Sequence, residues 1–181
     1  MQKFLFINTK KNAFWLLLLF VITSLQCKKD TIGNDVNYNI DYEIPAGIAA
    51  FPQTWVIETP TVSDNKYWLD KFGIDRAKVK SVEVKYIHLA ILNSNDNFAF
   101  VERAFARIFS TAKPSAIEIG FNENVSNTQG NTLDLVPNLT EVQDYFLGDR
   151  FTLQTRLQAR YSTTAPLQVR LSVGFRVVSD K

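Results

Sequence analysis

Apolar and polar residues alternate along most of the chain after residue 35. An alternation of period two is typical of a β-strand that has one buried and one solvated face. The clearest stretches are Val36–Ile44, Phe151–Tyr161 and Leu167–Val177. Shorter or less regular strands are predicted over Thr54–Val62, Val79–Leu92, Phe98–Ser110, Ala116–Phe121 and Thr132–Val136.

Two short segments break this alternation and predict helical turns. In residues 63–75, Ser63 or Asp64 can cap a helix, and Gly73 is of the residue type that most often follows the last turn. Residues 138–149 predict a second turn, which Gly148 would end. Between the strands, no helical pattern is visible that is longer than these two segments.

This order of elements predicts an all-β fold. Seven or eight strands with one or two short helices are typical of an antiparallel β-sandwich, immunoglobulin-like or jelly-roll-like. A closed barrel is the alternative. Residues 162–166 are expected to join the last two strands as a hairpin loop, which would place those strands side by side.

The first 30 residues have a different pattern, which is that of an exported protein. Residues 1–12 carry three lysines and no acid, and residues 13–25 are almost entirely apolar. Cys27 and the charged run KKD follow. This is the order of a signal peptide and its processing site. As a helix the apolar block would span about 20 Å, short of the roughly 30 Å hydrocarbon layer that a permanent anchor must cross.

The segment Ser24-Leu25-Gln26-Cys27 with its KKD sequel resembles uncharacterised lipoproteins of the Bacteroidota that carry a β-sandwich domain. The resemblance implies that Cys27 becomes lipidated and that the protein lies in the cell envelope, at the outer membrane. It implies a signal peptide over 1–26, a lipidated Cys and polar tether over 27–35, and one β-sandwich domain over 36–181. A secreted protein with a free thiol and an uncleaved anchor are the alternatives.

Composition narrows the range of partners and cofactors. Cleavage after residue 26 removes three of the 20 basic residues and none of the 18 acidic ones, so 17 basic residues remain. A nearly neutral domain of this kind gives no reason to expect nucleic-acid binding. Cys27 is the one cysteine, so its lipidation would leave none for a disulfide or a zinc cage. We expect no metal and no cofactor.

The single histidine, His88, is the first residue to weigh as a catalytic group. It is predicted to share a strand face with Val82, Val84, Tyr86, Ala90 and Leu92. We expect a strand histidine with one hydrogen-bond partner, because no motif of a nucleophile or metal site accompanies it. The carboxylate pairs Glu118 with Glu123 and Asp144 with Asp149 are the candidates for a glycan-acting enzyme.

The polar face of the last two strands carries a candidate ligand-contact patch. Its members are Arg156, Arg160, Arg170 and Arg176. Arginines on one face could bind an anionic glycan, a lipid headgroup or carboxylates of a protein, or they could form a solvated outer face. The first hypothesis is a lipid-anchored, non-catalytic binding or accessory module, held to the membrane through Cys27, with a glycan or protein ligand. The alternatives are a structural subunit of an envelope assembly and, third, a carboxylate-based enzyme acting on glycans.

Overall fold

The computed structural model describes residues 31–47, 54–92 and 95–180. The predicted signal peptide and Cys27 lie outside these residues. None of the described helices is long and apolar enough to cross a membrane. The strands are β1 (Thr31–Ile44), β2 (Thr54–Val62), β3 (Val79–Ile91), β4 (Val101–Phe109), β5 (Ile117–Asn122), β6 (Thr132–Pro137), β7 (Arg150–Ala159) and β8 (Leu167–Asp180). The helices are α1 (Asn65–Phe72) and α2 (Gln143–Phe146), with 3₁₀ turns at Arg76–Lys78 and Phe98–Phe100.

The eight strands form one curled antiparallel sheet in the order β1-β8-β3-β6-β5-β4-β7-β2. A short pairing of β6 with β5 joins a half made of β1, β8, β3 and β6 to a half made of β5, β4, β7 and β2. This interleaved order is that of the jelly roll, so the predicted sandwich is confirmed in its jelly-roll version. Strands β1 and β2 remain as edges, which excludes closure of these strands into a barrel.

The core lies between the two halves and is rich in aromatic rings. The ring of Tyr38 on β1 lies 5.4 Å from that of Phe151 on β7 and 5.7 Å from that of Phe175 on β8. Both phenylalanines are almost completely buried. Edge-to-face packing of this kind adds to the free energy gained from burying large rings. Tyr38 also donates its hydroxyl to the Ser63 carbonyl, which fixes the start of the α1 segment to β1.

The predicted pairing of the last two strands is wrong. β7 pairs with β4 and β2, whereas β8 pairs with β1 and β3. The segment between them therefore crosses from one half of the sandwich to the other. Alternation predicts which face of a strand is buried, and it carries no information about which strand lies beside it.

A β-bulge in β3 changes which of its residues face the core. The register of β3 against β8 shifts between Val84 and Tyr86. Val82 and Val84 are buried before the bulge, and Ile87, Leu89 and Ile91 are buried after it. The predicted single face from Val82 to Leu92 is therefore wrong beyond Val84, because one extra residue exchanges inside and outside.

The helices agree with the sequence prediction, but the tether does not. α1 is followed by Gly73 in the left-handed conformation (φ 65°), whose N–H closes the last turn on Asp70. The expected polar tether over residues 27–35 is strand from Thr31 onward, because residues 31–35 pair with β8. β8 is long enough to offer main-chain hydrogen bonds to residues 31–35. The sheet therefore extends over residues whose polar side chains predicted a tether.

Candidate functional site

The domain has two different ends, which we call the base and the tip. At the base, Thr31 pairs with Asp180, and both helices cover the core. At the tip lie the connections that follow β1, β3, β5 and β7. The Gly47 N–H donates to the Thr163 carbonyl at 3.1 Å, and the Phe98 N–H donates to the Gly130 carbonyl at 2.8 Å. These bonds tie the described parts of the tip connections to one another.

Two of the four predicted arginines pair with acids on β1. Arg170 makes a two-pronged contact with Asp41, Nε–Oδ1 2.7 Å and Nη2–Oδ2 2.8 Å, and Arg176 lies 3.2 Å from Asp35. Lys85 also pairs with Asp35. Hydrogen bonds from Lys85 and Arg176 hold the Asp35 pKa below its ordinary value, and Arg170 lowers the pKa of Asp41.

Of the other two arginines, Arg156 lies on β7 and Arg160 directly follows this strand, in the opposite half of the sandwich. Arg160 donates through Nη1 to the Val101 carbonyl at 2.6 Å and to the Ala99 carbonyl at 3.2 Å, and Nη2 donates to the Val125 carbonyl. It therefore holds main-chain segments of the tip together. Arg156 lies on the outer face of β7, between Phe105 and Val56 on its neighbours. The predicted four-arginine patch is therefore divided between the two halves of the sandwich and is not one surface.

His88 is a strand histidine with a hydrogen-bond partner, as predicted. Its Nδ1 lies 2.6 Å from Oδ1 of Asp134 across β6, and Ser172 is its partner residue across β8. An acid, a histidine and a serine thus share one row of the outer sheet face. However, the Ser172 hydroxyl donates to Asn39 at 2.7 Å, and Asp134 is 83% exposed. An open face with the serine proton directed away from the imidazole lacks the geometry of an activated nucleophile.

One member of each predicted carboxylate pair has a side-chain partner. Glu118 accepts a hydrogen bond from Asn138 Nδ2 at 3.2 Å, and Asp144 pairs with Lys113. Glu123 and Asp149 are exposed. Within residues 31–47, 54–92 and 95–180, no three histidine, cysteine or acidic side chains cluster as metal ligands.

A cleft at the tip was not predicted from the sequence. It has a volume of about 300 Å³ and lies between the residues before β4 and the connection from β7 to β8. Its buried floor contains Phe100 and Leu167. Polar side chains surround this floor, among them Asp96, Asn97, Ser162 and Thr164, and Tyr161 stands beside them. The only sequence signal was two turn-rich segments, and nothing in a single sequence shows that two loops meet.

Among solved structures, the chain has distant matches of shape. No family model and no curated protein matches the chain. A decameric BFDV capsid protein matches with a TM-score of 0.37 and 9% identity, over 82% of this chain and 99% of that one. The Desmodium yellow mottle tymovirus protein (TM-score 0.27, 11% identity, 83% and 90% covered) and a nora virus protein (0.33, 10%, 87% and 67%) also match. At TM-scores this low, no property of these proteins is transferred to this chain.

Proposed function

We propose that the protein is a lipid-anchored, non-catalytic binding module of the bacterial cell envelope, attached at the outer membrane through Cys27. The cysteine follows an apolar block and a basic segment in the order of a lipoprotein signal peptide. The domain that follows has a cleft and lacks an activated nucleophile or metal cluster among its described residues. Binding is the activity that these features support.

The observation that carries the proposal is that Thr31, the first residue of β1, and the cleft lie at opposite ends of the domain. β1 begins at Thr31, only four residues after Cys27, which is a reach of at most about 14 Å. The 14 residues of β1 run from base to tip, a length of about 45 Å. A lipid on Cys27 would therefore hold the base near the membrane and leave the cleft accessible at the far end.

Cell fractionation of a Cys27→Ala variant tests the anchor. The wild-type protein is expected in the membrane fraction, with residues 1–26 removed and the mass of a lipid added at Cys27. The variant should stay unprocessed or leave the membrane fraction, because it lacks the thiol that accepts the lipid. Mass spectrometry that finds residues 1–26 still attached to the wild-type protein would contradict the proposal.

A structural subunit of an envelope assembly is the second candidate, and a largely apolar row of side chains on an outer sheet face supports it. Strand registers place Val136, Phe121, Phe105, Arg156 and Val56 side by side on the outer face of five neighbouring strands. Val136 and Val56 are more than half exposed. Apolar residues on an outer face favour association. Sedimentation velocity decides between the candidates, because a subunit should form oligomers that Phe121→Glu abolishes.

A further inference from the structure

A row of aromatic side chains lies on α1, at the base of the domain. The Tyr67 and Trp68 rings meet edge to face at 5.0 Å, and the Trp68 and Phe72 rings stack at 6.1 Å. Lys71 Nζ lies 4.9 Å from the centre of the Trp68 ring and 5.8 Å from that of the Tyr67 ring. These rings and the ammonium group form one continuous surface. We call Tyr67, Trp68, Lys71 and Phe72 the α1 face.

The core uses the α1 face only in part. Trp68 and Phe72 are half-buried and pack against the core, and Leu69 is the buried apolar residue of the helix. Tyr67, in contrast, is 59% exposed, and Lys71 is exposed as well. Two half-open rings beside an exposed one make a patch rather than a single exposed residue, and such patches mark interaction surfaces.

The start of β1 lies directly beside this face. Ile32 and Phe72 line one depression of about 330 Å³. Ile32 is itself 41% exposed, which extends the apolar surface. Thr31 comes four residues after Cys27, a reach of at most about 14 Å. A lipid on Cys27 would therefore hold the α1 face close to the surface of the bilayer.

The composition of the α1 face suits the interface between lipid headgroups and acyl chains. Tyrosine and tryptophan rings, which have an apolar body and one polar group, are enriched at this depth of membranes. A lysine can lay its alkyl stem along apolar surface while its ammonium group stays among the phosphates. The helix carries two lysines and one aspartate, a balance that phosphate groups favour. The tether makes docking intramolecular, so a contact that is weak between separate molecules is sufficient.

We propose that the α1 face docks on the membrane that carries the lipid of Cys27. Tyr67 and Trp68 lie at headgroup depth, and the Lys71 ammonium group contacts phosphate oxygens. The inference rests on the proposed lipid anchor and adds a second attachment to it. Two attachments at the base fix the orientation of the domain and keep the tip cleft away from the bilayer.

Tryptophan fluorescence measures the docking, because the domain has a tryptophan at each end. Trp68 belongs to α1, Trp55 contacts Phe100 of the tip cleft, and Trp15 is removed with the signal peptide. The processed lipoprotein is reconstituted in phosphatidylcholine vesicles that contain headgroup spin-labelled lipids, which quench nearby tryptophans. Trp55→Phe reports Trp68 alone, and Trp68→Phe reports Trp55 alone. Quenching of Trp68 should exceed that of Trp55 at least about threefold, because β1 separates base from tip by about 45 Å.

A longer tether separates docking from mere proximity. About ten glycine and serine residues inserted between Asp30 and Thr31 release the base from the membrane unless a face of the domain holds it there. Quenching of Trp68 should persist in the lengthened protein. Tyr67→Ser should then reduce it about twofold or more through the lost ring. Tyr161→Ser is the matched control, since this half-exposed tyrosine lies at the tip, and it should leave the quenching unchanged.

Hydrogen exchange gives a second readout that needs no tryptophan variant. On vesicles without spin label, main-chain amides of α1 should exchange more slowly in the wild-type lipoprotein than in Tyr67→Ser. Amides of the tip connections should exchange equally in both proteins. Circular dichroism checks that every variant is folded.

The inference is overturned if the longer tether lowers Trp68 quenching to that of Trp55, or if the two tyrosine variants behave alike. Slow exchange in α1 without Trp68 quenching would also overturn it, because a second copy of the chain would then cover the face. Flotation of the vesicles reads the anchor separately. Protein that floats without Trp68 quenching contradicts the docking alone, and protein that does not float contradicts the lipid anchor as well.

Discussion

The ring of Tyr86 occupies the space in which a β-carbon on Gly174 would have to lie. The two residues face each other across β3 and β8, and an added Cβ at Gly174 would come within 2.2 Å of Tyr86 Cε1. The bulge next to Lys85 places Tyr86 on the outer face at this position. An aromatic ring over a strand glycine covers backbone that would otherwise be solvated.

Gly174→Ala should therefore lower the free energy of unfolding by about 1–3 kcal/mol, because the new methyl group displaces the ring. Gly130→Ala is the control, since its Cβ would meet no atom within 4 Å. In a Tyr86→Ala background, Gly174→Ala should cost much less, and a double-mutant cycle by urea denaturation measures that coupling. Equal costs in both backgrounds would show that the contact is not what requires glycine.

Phe175 is the central ring of the core, and its removal should be costly. It is 1% exposed and contacts the rings of Tyr38, Phe146 and Phe151. Phe175→Ala should destabilise the domain by about 3–5 kcal/mol through the cavity that remains. Val136→Ala, on an outer face and 59% exposed, should change stability by less than about 0.5 kcal/mol. Thermal and urea unfolding measure both, and a small loss for Phe175→Ala would contradict this assignment of the core.

The inner faces of β7 and β8 could be predicted from the sequence because their alternation is uninterrupted. Leu153, Leu157, Leu171, Val173 and Phe175 are buried as expected, and none of the four arginines is buried. The partner strands could not be predicted, since strands with similar alternation are interchangeable in pattern. The cleft could not be predicted for the same reason, because it forms where two loops that are distant in sequence meet.

Arg160 shows how far the expected ligand patch differs from the observed structure. Arg160→Ala would leave the carbonyls of Ala99, Val101 and Val125 without this donor. Loss of a charged donor to partly buried carbonyls should cost about 1–3 kcal/mol. Arg103→Ala, at an exposed position of β4, is the control and should be close to neutral. Hydrogen exchange should speed up at the tip in the Arg160 variant, and unchanged exchange there would argue against this structural role.

His88→Gln should leave any ligand binding unchanged and cost about 1 kcal/mol or less. The residue lies on the outer face of β3 and bonds to an exposed acid, so little burial depends on it. A fluorophosphonate probe should not label Ser172, because its hydroxyl donates to Asn39. Labelling of Ser172 that disappears in His88→Gln would instead show an active acid–histidine–serine row.

Asp35 should make the stability of the domain depend on pH in the acid range. Its folded-state pKa is lowered by Lys85 and Arg176, below the ordinary value of 3.8. A carboxyl with a lowered folded pKa contributes stability that is fully present above the unfolded pKa and lost as pH falls through the folded pKa. The urea concentration at the unfolding midpoint should therefore decrease as the pH is lowered below about 4. The Asp35→Asn variant should show a smaller decrease. Because Asp35 and its partners are exposed, about 1 M salt should reduce the difference between the two proteins. An identical acid profile for wild type and Asp35→Asn at low salt would show that the Lys85–Asp35–Arg176 contact across β3, β1 and β8 adds nothing to folding.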